Sequence, residues 1–441
     1  MVSGSVDAGE KLWAEGGGDW VGDEEWSVGG AGVGINDDDE GLSGTFSTAF
    51  NTKMEREIAS ARPSATTKLM TFARKPTQMA IQRSTTLKIN PKNPIESFPI
   101  IFEINSSEGM IDFLRSRLRC QFKLANVDGT PIDETKAGKV TVINYLGATF
   151  FNRMKFYASN SLLYDSLDAY TYKAYVDAVL FEPAEMKSTL LVSALYHEDT
   201  GGVEPNDATK NKGFVKRHEL TKKSTFTTIS PLHADIFTPD ALYPRMVDFR
   251  IELYRNNDDF LLLASKASNE NYTLTLTKAQ LDVHIVYPLP SFSLAYERTL
   301  AKTPARFNVK KTEMKVLHLG TGRVDLPNAC LHCGVIPRRV IMFMVPSVAY
   351  FGTRTSSPLC FNPHGLERYQ LIANDKLFPQ TALEMDFGGG DALDAYRQLF
   401  ESLAGSSNTC TLTYEQFVSG YSFIVTDLSP DASGSSGTAR N

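Results

Sequence analysis

Residues 117–124 read Arg-Leu-Arg-Cys-Gln-Phe-Lys-Leu, a polar–apolar alternation without a break. Side chains on an extended strand point to opposite faces in turn, so this spacing predicts a strand with one buried face and one wet face. The period of two returns at 247–253 and 281–285, and residues 272–277 combine it with strand-favouring tyrosine and threonine. Val127-Asp128-Gly129-Thr130 reads as a turn after the first of these runs. Residues 341–345 are apolar throughout, which predicts a strand covered on both faces, and 421–428 supply one more. Many half-buried strands must stack as sheets to hide their apolar faces, which points to sandwiches or barrels.

Helical spacing occurs in two places. Over 165–181 it sets Leu167, Tyr170, Ala174, Tyr175, Ala178 and Val179 on one face, with Asp165 or Ser166 as N-cap. Over 391–403 it does the same for Leu393, Tyr396, Phe400 and Leu403, after a Gly388-Gly389-Gly390 joint with Asp391 as N-cap.

Charge divides the chain. The net charge of −6 hides eleven acids and one base in residues 1–50, and nine bases and two acids in 51–94. The expected organisation is a disordered acidic Gly/Trp tail (1–50) and a basic connector (51–94). A first sandwich (95–300), a second (301–432) and a disordered C-terminus (433–441) then follow. Pro288, Pro290 and Pro304 mark the division between the sandwiches. A tail this polar cannot bury enough apolar surface to offset its ordering entropy. It nevertheless holds all three tryptophans, Trp13, Trp20 and Trp26, which suit a motif that docks in a partner's groove. The alternative is a solvated tail with incidental aromatics. In the connector, Lys53, Arg56, Arg62, Lys68, Arg74, Lys75 and Arg83 suit either nucleic-acid phosphates or a neighbour's acidic tail. With Phe72 as its single aromatic, the connector has no stacking platform for bases.

No apolar run reaches the ~20 residues that cross a bilayer, and the start lacks a signal-peptide pattern. Five sparse cysteines argue against a disulfide framework and for a reducing compartment. The best metal candidate is Cys330-Leu-His-Cys333 with Cys360 and His364, a Cys₃His set for zinc. Against it, the intervening residues form an apolar strand, and free cysteines are common core residues. His197-Glu198-Asp199 and His233-Ala-Asp235 show no partner in the sequence. No catalytic residue and no cofactor are therefore assigned.

Several stretches together resemble a family. They include Glu108-Gly-Met-Ile-Asp-Phe-Leu-Arg-Ser-Arg-Leu-Arg, Asn126-Val-Asp-Gly129, Ile143-Asn-Tyr-Leu146, Tyr170-Thr-Tyr-Lys-Ala-Tyr175 and Pro231-Leu-His-Ala-Asp-Ile-Phe237. Gly334-Val-Ile-Pro-Arg-Arg339, Asn374-Asp375, Tyr396-Arg-Gln-Leu-Phe400, Gly420-Tyr421 and Asp427-Leu428 continue the pattern. The wording, spread over residues 77–431, is similar to hexon-like capsid proteins of Polinton/Maverick and adintovirus-type elements. Met-Ile-Asp-Phe stands here where that family usually has Tyr-Ile-Asp-Leu.

The resemblance implies an all-β double jelly roll with short inserted helices and no enzymatic activity. Its homotrimers would form pseudo-hexameric capsomers in the virion of a double-stranded DNA virus or an integrated relative. Implied partners are further copies of the chain, penton or minor capsid proteins, and packaged DNA, with assembly inside the host cell. The alternatives are a minor capsid or penton component, or a domesticated jelly-roll binding protein.

Overall fold

The computed structural model describes residues 80–105, 107, 109–130, 132, 139–222, 225–239, 241–265, 272–320, 322–326, 329–403 and 410–429, and the backbone of 2–8. In chain order the strands are β1 (Val2–Ala8), β2 (Ile81–Ile89), β3 (Ile100–Asn105), β4 (Met110–Asn126), β5 (Val140–Val142), β6 (Phe151–Ala158), β7 (Ser161–Asp165), β8 (Thr225–Pro231), β9 (Asp248–Arg255), β10 (Leu262–Ala264) and β11 (Tyr272–Pro288). After them come β12 (Val309–Lys315), β13 (Arg339–Met342), β14 (Arg368–Ala373), β15 (Lys376–Glu384) and β16 (Ile424–Asp427). Four longer helices matter below: α1 (Tyr170–Leu180), α2 (Lys212–Thr221), α3 (Pro290–Leu300) and α4 (Leu393–Leu403).

The first unit is a sandwich of two four-stranded sheets, β2-β11-β4-β8 and β3-β9-β6-β7. The short pair β5-β10 stands apart. Numbering the eight sandwich strands along the chain, the sheets run first-eighth-third-sixth and second-seventh-fourth-fifth. That is the wrapping of a jelly roll, two interlocked Greek keys. Alternation explains the packing: Leu118, Cys120, Phe122 and Leu124 of β4 and Phe249, Ile251 and Leu253 of β9 all face the core. Phe113 of β4 sits at its centre, stacked on Phe237 at 4.5 Å and edge-on to Phe156, Tyr243 and Phe249.

Several expectations change in detail. The runs at 272–277 and 281–285 are one strand, β11, because no turn residue separates them. Irregularities at Leu276/Lys278 and Asp282/His284 adjust its register against β4. The sandwich also begins inside the stretch read as a connector, at β2. That strand is an exposed edge carrying Arg83 and Lys88, so it shows no buried periodicity.

Helix α1 is buried on nearly every side rather than along one stripe, and its N-cap is Ala169, not Asp165 or Ser166. Asp165 instead accepts the Leu167 backbone N–H at 2.9 Å, in a short 3₁₀ turn ahead of the helix. Helix α4 buries Ala395, Leu399 and Leu403, while Leu393 is exposed. Of the face read from Leu393, Tyr396, Phe400 and Leu403, Leu403 is buried and Tyr396 and Phe400 pack against the core, so only Leu393, in the first turn, departs from it.

The second unit places β13 and β16 side by side in a sheet ordered β12-β1-β13-β16, with β14-β15 as a separate hairpin. The hairpin turns on Asn374 and Asp375, both at positive φ, a conformation asparagine and aspartate tolerate well. Apart from β1, the acidic tail lies outside the described residues.

Candidate functional site

The two units share a continuous core and meet around residues 166–224, the long connection between β7 and β8. Within it, α1 carries Lys173 and Asp177 one helical turn apart, so both project to one side. Lys173 is 7% exposed, and its ammonium lies 2.6 Å from Asp177 Oδ2 and 3.1 Å from Asp235 Oδ1. Asp235 opens a 3₁₀ turn just after β8, and its other oxygen accepts the backbone N–H of Thr312, on β12, at 2.6 Å. A carboxylate of the first unit therefore closes a bond to the sheet of the second.

His233 completes the cluster. Its Nδ1 is 3.5 Å from Asp177 Oδ2, its Nε2 is hydrogen-bonded to the Tyr145 hydroxyl at 2.7 Å, and its backbone N–H donates to the Tyr170 hydroxyl at 3.1 Å. Burial disfavours the Lys173 ammonium, yet Asp177 and Asp235 outweigh it and hold its pKa above the usual lysine range. Burial also raises Asp235, whereas Lys173 and His233 bring Asp177 below the usual carboxylate range despite its burial. A lysine locked as ammonium offers no nucleophile, and both His233 nitrogens are engaged. The arrangement holds two units in fixed register.

A second cluster lies on the same connection. Arg217 of α2 is fully buried and donates to Asp199 Oδ1 (2.7 Å), the His197 carbonyl (2.7 Å) and the Val142 carbonyl (3.1 Å). Asp199 N–H in turn donates to the Tyr421 hydroxyl of the second unit at 3.1 Å. Burial and the Arg217 cation push the His197 pKa down to about 4. Gly213 is required here: a Cβ would lie 2.5 Å from Asp199 Oδ1 and 2.7 Å from the Glu198 carbonyl. Ring contacts cross the same boundary, Tyr172 to Phe343 at 6.0 Å and Tyr175 to Phe361 at 5.9 Å.

The triplets His197-Glu198-Asp199 and His233-Ala-Asp235 thus have partners, Arg217 and Lys173, that the sequence pattern around them does not reveal. The signal present in the sequence was a Lys/Asp pair spaced i,i+4 on an otherwise apolar helix.

The zinc set is not brought together. Among the described residues no group of three or more metal-ligating side chains converges. Cys330 and Cys333 are exposed neighbours, while Cys360 is half-buried beside Asn362, and desolvation raises its pKa to about 12. Of the connector bases, Arg83 sits on β2 with its guanidinium 4.2 Å over the Tyr287 ring. Lys53, Arg56, Arg62, Lys68, Arg74 and Lys75, like Trp13, Trp20 and Trp26, lie outside the described residues. No helix among the described residues is long and apolar enough to cross a membrane.

Exposed apolar side chains are unevenly placed. Of the 21 large hydrophobics exposed among the described residues, 12 fall between residues 290 and 393. They include Phe292 on α3, Val324 and Val335 in the β12–β13 connection, Val348, Phe351, and Ile372 on the hairpin.

No family model matches the chain. An uncharacterized protein of Caenorhabditis elegans is 25% identical over 369 residues, 81% of this chain and 86% of that protein. Among solved structures, the Sputnik virophage structure aligns over 52% of both chains at 13% identity, with a TM-score of 0.38. The faustovirus major capsid protein aligns over 59% of this chain and 66% of its own at 11% identity, TM-score 0.34. The mavirus major capsid protein aligns over 52% and 51% at 9% identity, TM-score 0.32. This chain thus spans about half the length of the Sputnik and mavirus chains. These are partial superpositions, and the jelly roll itself rests on the strand order described above.

Proposed function

We propose that the chain is the building block of a protein shell, a capsid subunit that trimerises into pseudo-hexameric capsomers of a virus or virus-derived particle. The observation that carries this reading is the pairing of a complete jelly roll with a second β unit through a buried ionic joint. Two such units per chain give a threefold trimer six corners, the outline that tiles a shell. A shell subunit must transmit lateral force without its halves sliding, and the Lys173–Asp235–Thr312 chain of contacts supplies that rigidity. The exposed apolar residues between 290 and 393 supply surface that association would cover.

In this reading the acidic tail and the basic connector face the shell interior or tie neighbouring subunits together, and the connector bases take packaged DNA or an adjacent tail. The test is negative-stain microscopy of the purified full-length chain at high protein concentration. Threefold particles with a hexagonal outline, or closed shells, are expected. A field of monomers across salt concentrations contradicts the proposal.

A further inference from the structure

The β12–β13 connection carries a pair of thiols that the joint and the shell reading leave unused. Cys330 and Cys333 are both exposed, and their Sγ atoms lie 3.1 Å apart. A disulfide bond is about 2.05 Å long, so closure needs a movement of only about 1 Å. Two contacts to β12 hold the segment in place. Lys315 Nζ donates to the Cys330 carbonyl, and His332 Nδ1 sits 3.2 Å from Glu313 Oε2. Gly334, at φ +127, makes the turn immediately after Cys333.

The other three cysteines differ. Cys120 and Cys410 are buried and Cys360 half-buried, and burial raises the pKa of each, whereas Cys333, raised too, is raised by its hydrogen bond with Cys330 and stays exposed. The chain thus presents one preorganised dithiol against an inert background.

We propose that Cys330 and Cys333 are a reversible oxidation site, a dithiol that closes to an intrachain disulfide by exchange with a low-molecular-weight disulfide. One thiolate of the pair attacks the small disulfide RSSR, forming a mixed disulfide and releasing RS⁻. The second thiolate then attacks the protein-side sulfur, forming the Cys330–Cys333 bond and releasing the second RS⁻. The protein dithiol is oxidised by two electrons, RSSR is reduced to two RSH, and both thiol protons end on the released thiols. In a reducing compartment the pair stays open. In an oxidising one it closes and stiffens the β12–β13 connection, which bears the exposed Val324, Leu326 and Val335.

The experiment equilibrates the full-length chain in glutathione buffers from fully reduced to fully oxidised. Free thiols are then trapped with N-ethylmaleimide on the native protein, and intact mass and peptide mapping follow. The expected result is loss of both labels from the Cys330/Cys333 peptide within the glutathione range, leaving that peptide 2 Da lighter than its unlabelled reduced form, while Cys120, Cys360 and Cys410 stay unlabelled and unoxidised.

Cys333→Ser is expected to stop at the mixed disulfide on Cys330. Trypsin cleavage after the exposed Arg323 is expected to slow on oxidation in the wild type and not in Cys330→Ser/Cys333→Ser. Persistence of both free thiols in the fully oxidised buffer overturns the proposal, as does oxidation that yields only interchain dimers. The readout needs no assembly, so it can fail or succeed independently of the shell reading.

Discussion

The backbone N–H of Thr312 donates to Asp235 Oδ2 at 2.6 Å, while the other oxygen of that carboxylate faces the ammonium of Lys173 at 3.1 Å. One buried carboxylate therefore serves a helix of the first unit and a strand of the second. Breaking either contact leaves a buried charge or polar group without its partner, which costs more than the intact contact contributes.

Lys173→Met removes the cation and leaves Asp177 and Asp235 facing each other. A loss of about 3–5 kcal/mol in unfolding free energy is expected from urea titration. Asp235→Asn keeps an acceptor for Thr312 and loses only the charge, so its cost is expected to be smaller. Equal costs for the two variants would place the stabilisation elsewhere.

Arg217→Met and Gly213→Ala address the second cluster from opposite sides. The first leaves Asp199 and two carbonyls without their donor, and about 3–5 kcal/mol is again expected. The second forces a methyl group against Asp199 Oδ1 and the Glu198 carbonyl, so a fall in melting temperature of several degrees is expected. Gly388→Ala, whose Cβ meets only Asp386 Oδ1 at an ordinary 3.5 Å, serves as the control with little change.

His197 gives a pH signature. Its pKa is lowered to about 4 in the folded chain, against about 6.5 when unfolded, so between these values the unfolded state binds more protons. Stability is then complete above about pH 7 and declines as pH falls toward 4, by at most about 3 kcal/mol. His197→Gln is expected to flatten that part of the stability profile. A profile unchanged by the substitution would count against the burial argument.

Strands with one buried face were legible because alternation is a local signal: β4, β9 and most of β11 follow from residues next to each other. Strand β2 was not, because an edge strand exposed on both faces has no apolar period. The seam between 272–277 and 281–285 was invisible because irregular register in a long strand leaves no turn residue behind. The face of α4 was legible from Tyr396, Phe400 and Leu403, which pack on the core, whereas Leu393 in its first turn is exposed and small Ala395 and Leu399 fill the inward side instead.

The site was less legible still. Asp235 and Thr312 are brought together only by the wrapping of the chain, and Asp199 and Arg217, though on one connection, by the fold of that connection rather than by any local period. The zinc set illustrates the converse. Cys330-Leu-His-Cys333 has the spacing of a metal knuckle, but the fold places Cys360 in other surroundings.

Exposed apolar residues of the second unit give a surface prediction. Val324→Asp with Val348→Asp touches no buried contact, since the two side chains are 97% and 68% exposed. Unchanged thermal unfolding with weakened self-association is expected. Unfolding that shifts with the double substitution would mean these residues pack within the chain instead.

The most direct test of the central claim is the mass of the full-length protein in solution, by light scattering on a sizing column over a range of concentrations. The chain is 48.7 kDa, so a trimer has a mass of about 146 kDa. A species at that mass, or at much larger masses from shells, is the predicted result. A species that stays near 48.7 kDa at every concentration and salt contradicts the account.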